Sequence, residues 1–122
     1  MLSSSLVQYA TIPADYDDSQ ARYTGYAVAN TESEDINIKI LTVSQDGKVI
    51  DTLSPANLNP LRAGQQTAGF LHEILPAGRS SFKGSMVLTE KNGKTISAVA
   101  LVSNKGLFTT IAVIPAKAPN IN

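Results

Sequence analysis

Two dipeptides of the same kind, Asp46-Gly47 and Asn92-Gly93, each beside lysine and β-branched alternating sequence, constrain this chain more than any other feature. Glycine has no Cβ to clash at positive φ, and an Asx-Gly pair supplies the two central residues of a tight primed turn. Each pair therefore marks a β-hairpin, and together they specify an antiparallel β protein.

The flanking segments read as strands. Residues 6–12 form a first strand closed by Pro13, followed by a polar loop over 14–20. In a second strand over 22–30, Gly25, Ala27 and Ala29 recur at every second position, so they share a face suited to close approach of another layer. Ile36, Ile38 and Ile40 form one half-buried face, with Leu41 and Val43 pointing the other way; the chain returns after Asp46-Gly47 through 49–53. Pro55 and Pro60 make 54–62 a crossover between sheets.

Residues 65–70 suit a short strand, and 71–75 has room for one helical turn before Pro76. In 81–89, Phe82, Gly84, Met86 and Leu88 share a face, while 95–103 is apolar on both faces, as a central strand is. Asn104, Lys105 and Gly106 make a third turn into a last strand over 107–114, ended by Pro115. The expectation is an all-β fold, an antiparallel two-sheet β-sandwich of about seven to eight strands with one short helical turn near 71–75. A small barrel is the competing closure. Residues 1–116 form a single domain and 117–122 a loosely ordered tail.

With 122 residues, one domain is large enough to bury a core without staples. Lys plus Arg (10) equals Asp plus Glu (10), so no global field steers the chain to nucleic acid or anionic lipid. The lack of cysteine removes disulfides, thiolate nucleophiles and sulfur-ligated zinc. The first residues lack the basic region and long apolar run of a signal peptide, so the chain reads as a mature or trimmed form. No stretch approaches the roughly 20 apolar residues of a membrane-spanning helix, so direct membrane insertion is not expected.

Few residues suggest chemistry. His72 is the sole histidine and Glu73 follows it; the pair is a candidate for acid-base or binding work, or else a cap or polar lid over the sandwich end. Asp15, Asp17 and Asp18 form the densest acidic cluster, an oxygen-rich candidate for calcium that lacks the glycine and later glutamate of an EF-hand loop. Tyr16 joins His72 and Glu73 as a candidate binding residue, because exposed aromatics stack on sugars. Tyr23 and Tyr26 lie three apart, so they face opposite sides of a strand and form no common platform. No serine has the nucleophile-elbow setting and no glycine-rich loop cradles phosphate, so neither catalytic residues nor a cofactor is expected.

Thr24, Gly25, Ala27, Ala29, Asn30; Asp46, Gly47; Phe70, Glu73, Leu75, Pro76; Phe82, Gly84; Val99, Ala100, Leu101; and Phe108, Thr109, Thr110 follow one another in an order that resembles a secreted bacterial β-sandwich module. The resemblance spans the chain from about Tyr23 onward. Thr31 stands where that pattern often has proline, and Val102 where it often has arginine. A more specialised relative is the separate globular β subunit of a split type IV pilin. The resemblance implies an exported protein, extracellular or at the cell surface, acting as spacer, adhesion unit or surface-filament subunit through a protein partner or self-association. The alternative is a carbohydrate- or calcium-dependent binding module.

Overall fold

The computed structural model describes residues 5–7, 9–75, 81–94, 96–112 and 114–115. Among the described residues ten strands pair antiparallel in one continuous sheet that folds into two layers: β1 (Ser5–Val7), β2 (Tyr9–Asp17), β3 (Arg22–Ala29), β4 (Ile38–Ser44), β5 (Val49–Leu53), β6 (Gln66–Phe70), β7 (Ser81–Glu90), β8 (Ile96–Asn104), β9 (Leu107–Ala112) and β10 (Ile114–Pro115). One helical turn, α1 (Leu71–Ile74), follows β6 where it was expected. The first layer has the order β6-β3-β8, with β1 and β9 end to end along the far side of β8. The second has the order β5-β4-β7-β2, with β10 outside β2. Residues 117–122, expected as a tail, lie outside the described residues.

The inward faces follow the period of two. Ala10, Ile12, Ala14 and Tyr16 of β2, Ile38 and Ile40 of β4, and Met86 and Leu88 of β7 meet Tyr26 and Val28 of β3 and Ile96, Ala98 and Ala100 of β8 in one buried cluster. The proline-bearing segment after β5 carries the chain between layers, as expected. It seals the open side with Leu58 and Leu61, tied down by the Ile36–Leu61 bridge and by Asn59 Nδ2 donating to the Ile38 carbonyl at 2.9 Å.

The layers join at the β2–β3 corner. The described pairing between these strands is Asp17 with Arg22, around a 3-10 turn over Asp18–Gln20. One step further in, the Thr24 hydroxyl accepts from the Asp15 N–H at 2.9 Å and donates to the Asp15 carbonyl at 3.1 Å. This side chain takes the place of a backbone rung as the strands diverge into different layers, satisfying groups that would otherwise be stranded.

Several expectations are corrected. β2 does not stop at Pro13 but runs on to Asp17, so the loop expected over 14–20 shrinks to the 3-10 turn. Pro13 sits opposite Ser85 of β7; on the other flank of β2 the described partners are β10, at Ala10 and Thr11, and β3, at Asp17, which leaves Pro13 between them where no ladder donor is needed. The first and last expected strands each split: β1 and β9 join β8, whereas β2 and β10 lie in the second layer. The Gly25, Ala27, Ala29 face does not meet the other layer, because Thr24, Tyr26 and Val28 point inward instead. Burying the larger side chains removes more apolar area from water.

The turns differ in detail as well. Gly47 (φ 89) and Gly93 (φ 78) take positive φ, but Asp46 and Asn92 do not. Gly47 N–H donates to the Ser44 carbonyl and Gly93 N–H to the Glu90 carbonyl, which closes an ordinary turn followed by a left-handed glycine, one residue wider than a primed turn. The two-residue turn with positive φ at both centres is Lys105-Gly106, between the paired residues Asn104 and Leu107. There the Lys105 N–H donates to the carbonyl of Ala21, itself left-handed at φ 50.

Candidate functional site

The expected candidates converge at one end of the sandwich, where the β2–β3 corner meets α1. Leu71 of α1 is fully buried and Ile74 packs on the core, which brings His72 over the corner. Its ring centroid lies 4.2 Å from Tyr23, 5.8 Å from Tyr16 and 5.7 Å from Phe70, all tilted, while Tyr16 and Tyr23 stack at 6.3 Å. Tyr16 is buried at 2 % exposure, so it serves as a floor; Tyr23, His72 and Phe70 are half-buried above it. His72 Nδ1 and Arg22 Nε are both buried without a hydrogen-bond partner. Glu73 does not join His72. Its Oε1 accepts from the Phe70 N–H at 2.9 Å, capping the helical turn.

The three aspartates are dispersed. Asp15 Oδ1 pairs with Arg22 Nη2 at 3.1 Å. Asp17 Oδ1 accepts from the Ser19 hydroxyl at 2.7 Å and the Ser19 N–H at 3.0 Å; the hydroxyl bond leads the effects that hold its carboxyl below the usual carboxylate range. Asp18 faces the Tyr23 hydroxyl, and its carboxylate pushes the Tyr23 phenol up. Each carboxylate is thus engaged in shaping the corner. Among the described residues no group of three His, Asp or Glu comes together to hold a metal ion.

A second feature was not anticipated as a site. On the outer face of the first layer, Ala27 and Ala29 form the floor of a shallow groove of about 410 Å³, flanked by Ala68 and Gln66 of β6 and by Ser97 and Val99 of β8. None of the described residues that line it is charged. The row above it is closed by an aromatic on glycine: Phe70 pairs with Gly25 and covers it so closely that a Cβ there would come within 2.9 Å of the ring. On the inner side of the same strands the Tyr26 hydroxyl lies over Gly69 in the same manner. The every-second-residue spacing of Gly25, Ala27 and Ala29 was the sequence signal for this floor. Which side of the sheet it faces was not contained in that spacing.

Glu90 is a third residue that sequence reasoning passed over. It is 3 % exposed, yet its carboxylate accepts from three backbone N–H groups: Asn92 at 2.7 Å, Lys94 at 3.1 Å and Asn37 at 3.1 Å. Burial raises its pKa, but these bonds and the Lys94 charge outweigh it and leave the carboxyl below its ordinary value. Lys94 in turn reaches Glu34. This end of the sandwich is tied together by one carboxylate.

Among the described residues no helix is long and apolar enough to cross a membrane. Compared with models of known protein families, with curated proteins and with solved structures, the chain finds no match.

Proposed function

We propose that this chain is a non-catalytic structural or interaction module of the bacterial cell exterior, a spacer, adhesion or surface-filament subunit that works by presenting its sheet surface to a protein partner. One observation carries the reading: the groove over Ala27 and Ala29 is open and apolar, with no charge among its described lining residues, while the carboxylates of the corner and of α1 are spent on structure. Asp15 and Asp17 hold the corner together and Glu73 caps α1. A concave apolar surface without charge suits a protein surface better than an ionic substrate. The order of motifs that resembles secreted β-sandwich modules, and with it the split-pilin subunit, supports the same reading.

The test is surface binding. Labelled protein is incubated with cells and surface fractions of the source organism, and compared with Ala27→Arg, which places a charge on the groove floor. Loss of binding in the variant, with an unchanged melt, supports the reading; equal binding by both proteins, or binding by neither, refutes it.

The alternative, a carbohydrate-binding module, draws on the aromatic corner, where Tyr23 and His72 lie 4.2 Å apart beside Arg22 and Asp18. Half-exposed rings bordered by polar groups are what a sugar face and its hydroxyls require. Binding on a glycan array that is lost in Tyr23→Ala favours this alternative, and a blank array disposes of it.

A further inference from the structure

Each layer has an edge strand, β5 in one and β6 in the other, and the two differ in character. An exposed sheet edge is a template for another strand unless something blunts it. β5 is blunted twice: its register with β4 breaks between Thr42 and Val43, and Asp51 points inward to accept from the fully buried Thr42 hydroxyl at 2.6 Å. β6 has neither protection. Its register with β3 is unbroken from Gly25–Phe70 to Ala29–Gln66, and its sequence Gln66-Thr67-Ala68-Gly69-Phe70 contains no charge and no proline.

The backbone of β6 also has a defined set of unused groups. The Asn30 N–H donates to the Gln65 carbonyl at 2.9 Å, so in the antiparallel alternation Thr67 and Gly69 exchange hydrogen bonds with Val28 and Tyr26. The peptide groups of Gln66 and Ala68 then point away from β3, and both residues are exposed. The Phe70 N–H is already taken by Glu73. The free edge therefore consists of the N–H and C=O of Gln66 and of Ala68.

We infer that β6 pairs antiparallel with β6 of a second copy of this chain, about a two-fold axis through Thr67. That register sets Gln66 of each copy opposite Ala68 of the other and makes four backbone hydrogen bonds, which use every free edge group of both copies. A slip of one residue sets these groups against Thr67, whose own are spent on Val28. A slip of two wastes groups at one end, where the Phe70 N–H is occupied. No like charges meet across the axis, since β6 has none and the chain is neutral. Blunting of β5 takes that edge out of the association. The row Ala68, Ala27, Val99 then continues from one copy into the next, so the grooves of the two copies adjoin.

The inference deepens the interaction-module reading and rests on it. Four hydrogen bonds on a short edge make an interface below about 1,000 Å², the class of weak or transient pairs. Sedimentation equilibrium across a concentration series is the measurement. Wild type is expected to form dimers reversibly. Ala68→Pro removes an outward N–H without touching the β3 ladder, and is expected to weaken dimerisation at least tenfold with an unchanged melt. Ala68→Lys, which folds without any demand on φ, is expected to do the same, while Ile50→Lys on β5 leaves the dimer intact. A wild type that stays monomeric up to about 1 mM overturns the pairing, as does a dimer insensitive to both Ala68 variants or lost in Ile50→Lys. A monomer that still binds cell surfaces overturns the pairing alone, whereas a dimer sensitive at Ala68 that binds no surface supports the pairing and refutes the module reading.

Discussion

Replacing Glu90 tests how far one buried carboxylate holds this fold together. Its oxygens accept from the backbone N–H groups of Asn92 and Lys94, in the turn between β7 and β8, and of Asn37 just before β4. A hydrogen bond to a charged group contributes about 1.5–3 kcal/mol, and a donor left buried without an acceptor costs about as much. The turn residue Asn92 is exposed and regains water, whereas Asn37 and Lys94 are half-buried. Glu90→Ala is therefore expected to cost about 3–4 kcal/mol. Glu90→Gln keeps one acceptor oxygen for the turn but sets an amide donor against the other N–H, so about 2 kcal/mol is expected. At about 4 °C per kcal/mol for a domain of this size, the Ala variant melts roughly 12–16 °C lower.

The pH dependence has a definite sign. The folded-state pKa of Glu90 lies below its ordinary value of 4.5, so its stabilisation is fully present above pH 4.5 and is lost as pH falls through the folded pKa. Urea melts of wild type and Glu90→Gln from pH 7 down to pH 3 should show a gap that narrows below about pH 4.5. A gap under about 1 kcal/mol at pH 7, or one that stays constant to pH 3, refutes the reasoning.

Gly25→Ala places a Cβ 2.9 Å from Phe70 Cδ1 and nearer still to the Gly69 carbonyl oxygen, a backbone atom with little freedom to retreat; a loss of about 2–3 kcal/mol in chemical denaturation is expected. Ala21→Gly relieves a left-handed residue at φ 50, ψ 42, and should raise stability by about 0.5–1 kcal/mol after the added chain entropy of glycine is counted. Calcium at about 1 mM should leave the melting temperature unchanged, because Asp15 and Asp17 have protein partners and no three carboxylates converge among the described residues; a site of roughly 10 µM affinity would instead add about 2.7 kcal/mol.

The candidate site was legible only in pieces. His72 and Tyr16 were visible as residue types, but they meet because α1 lies across the β2–β3 corner, a juxtaposition of distant segments that no local pattern encodes. Glu73 was already next to its role, since the cap it provides to Phe70 is a contact three residues away. Glu90 carried a faint signal as the acidic residue just ahead of Asn92-Gly93. Its bond to Asn37 depends on β4 lying against β7, which is a non-local fact.

The sequence by itself determined the β class and the sites of the glycine turns: glycine at positive φ placed them, and the alternation in Ile36, Ile38, Ile40 and in Met86, Leu88 named residues that share a buried face. These are local properties of a backbone with a period of two. Tertiary structure decided which layer each strand joined, that β2 ran on through Pro13, and that β3 turned Thr24, Tyr26 and Val28 inward and left Gly25, Ala27 and Ala29 outside. The reason is that alternation sorts residues into two faces without saying which one will be covered. That choice falls to the pairing of distant strands, where the larger apolar face gains more by leaving water.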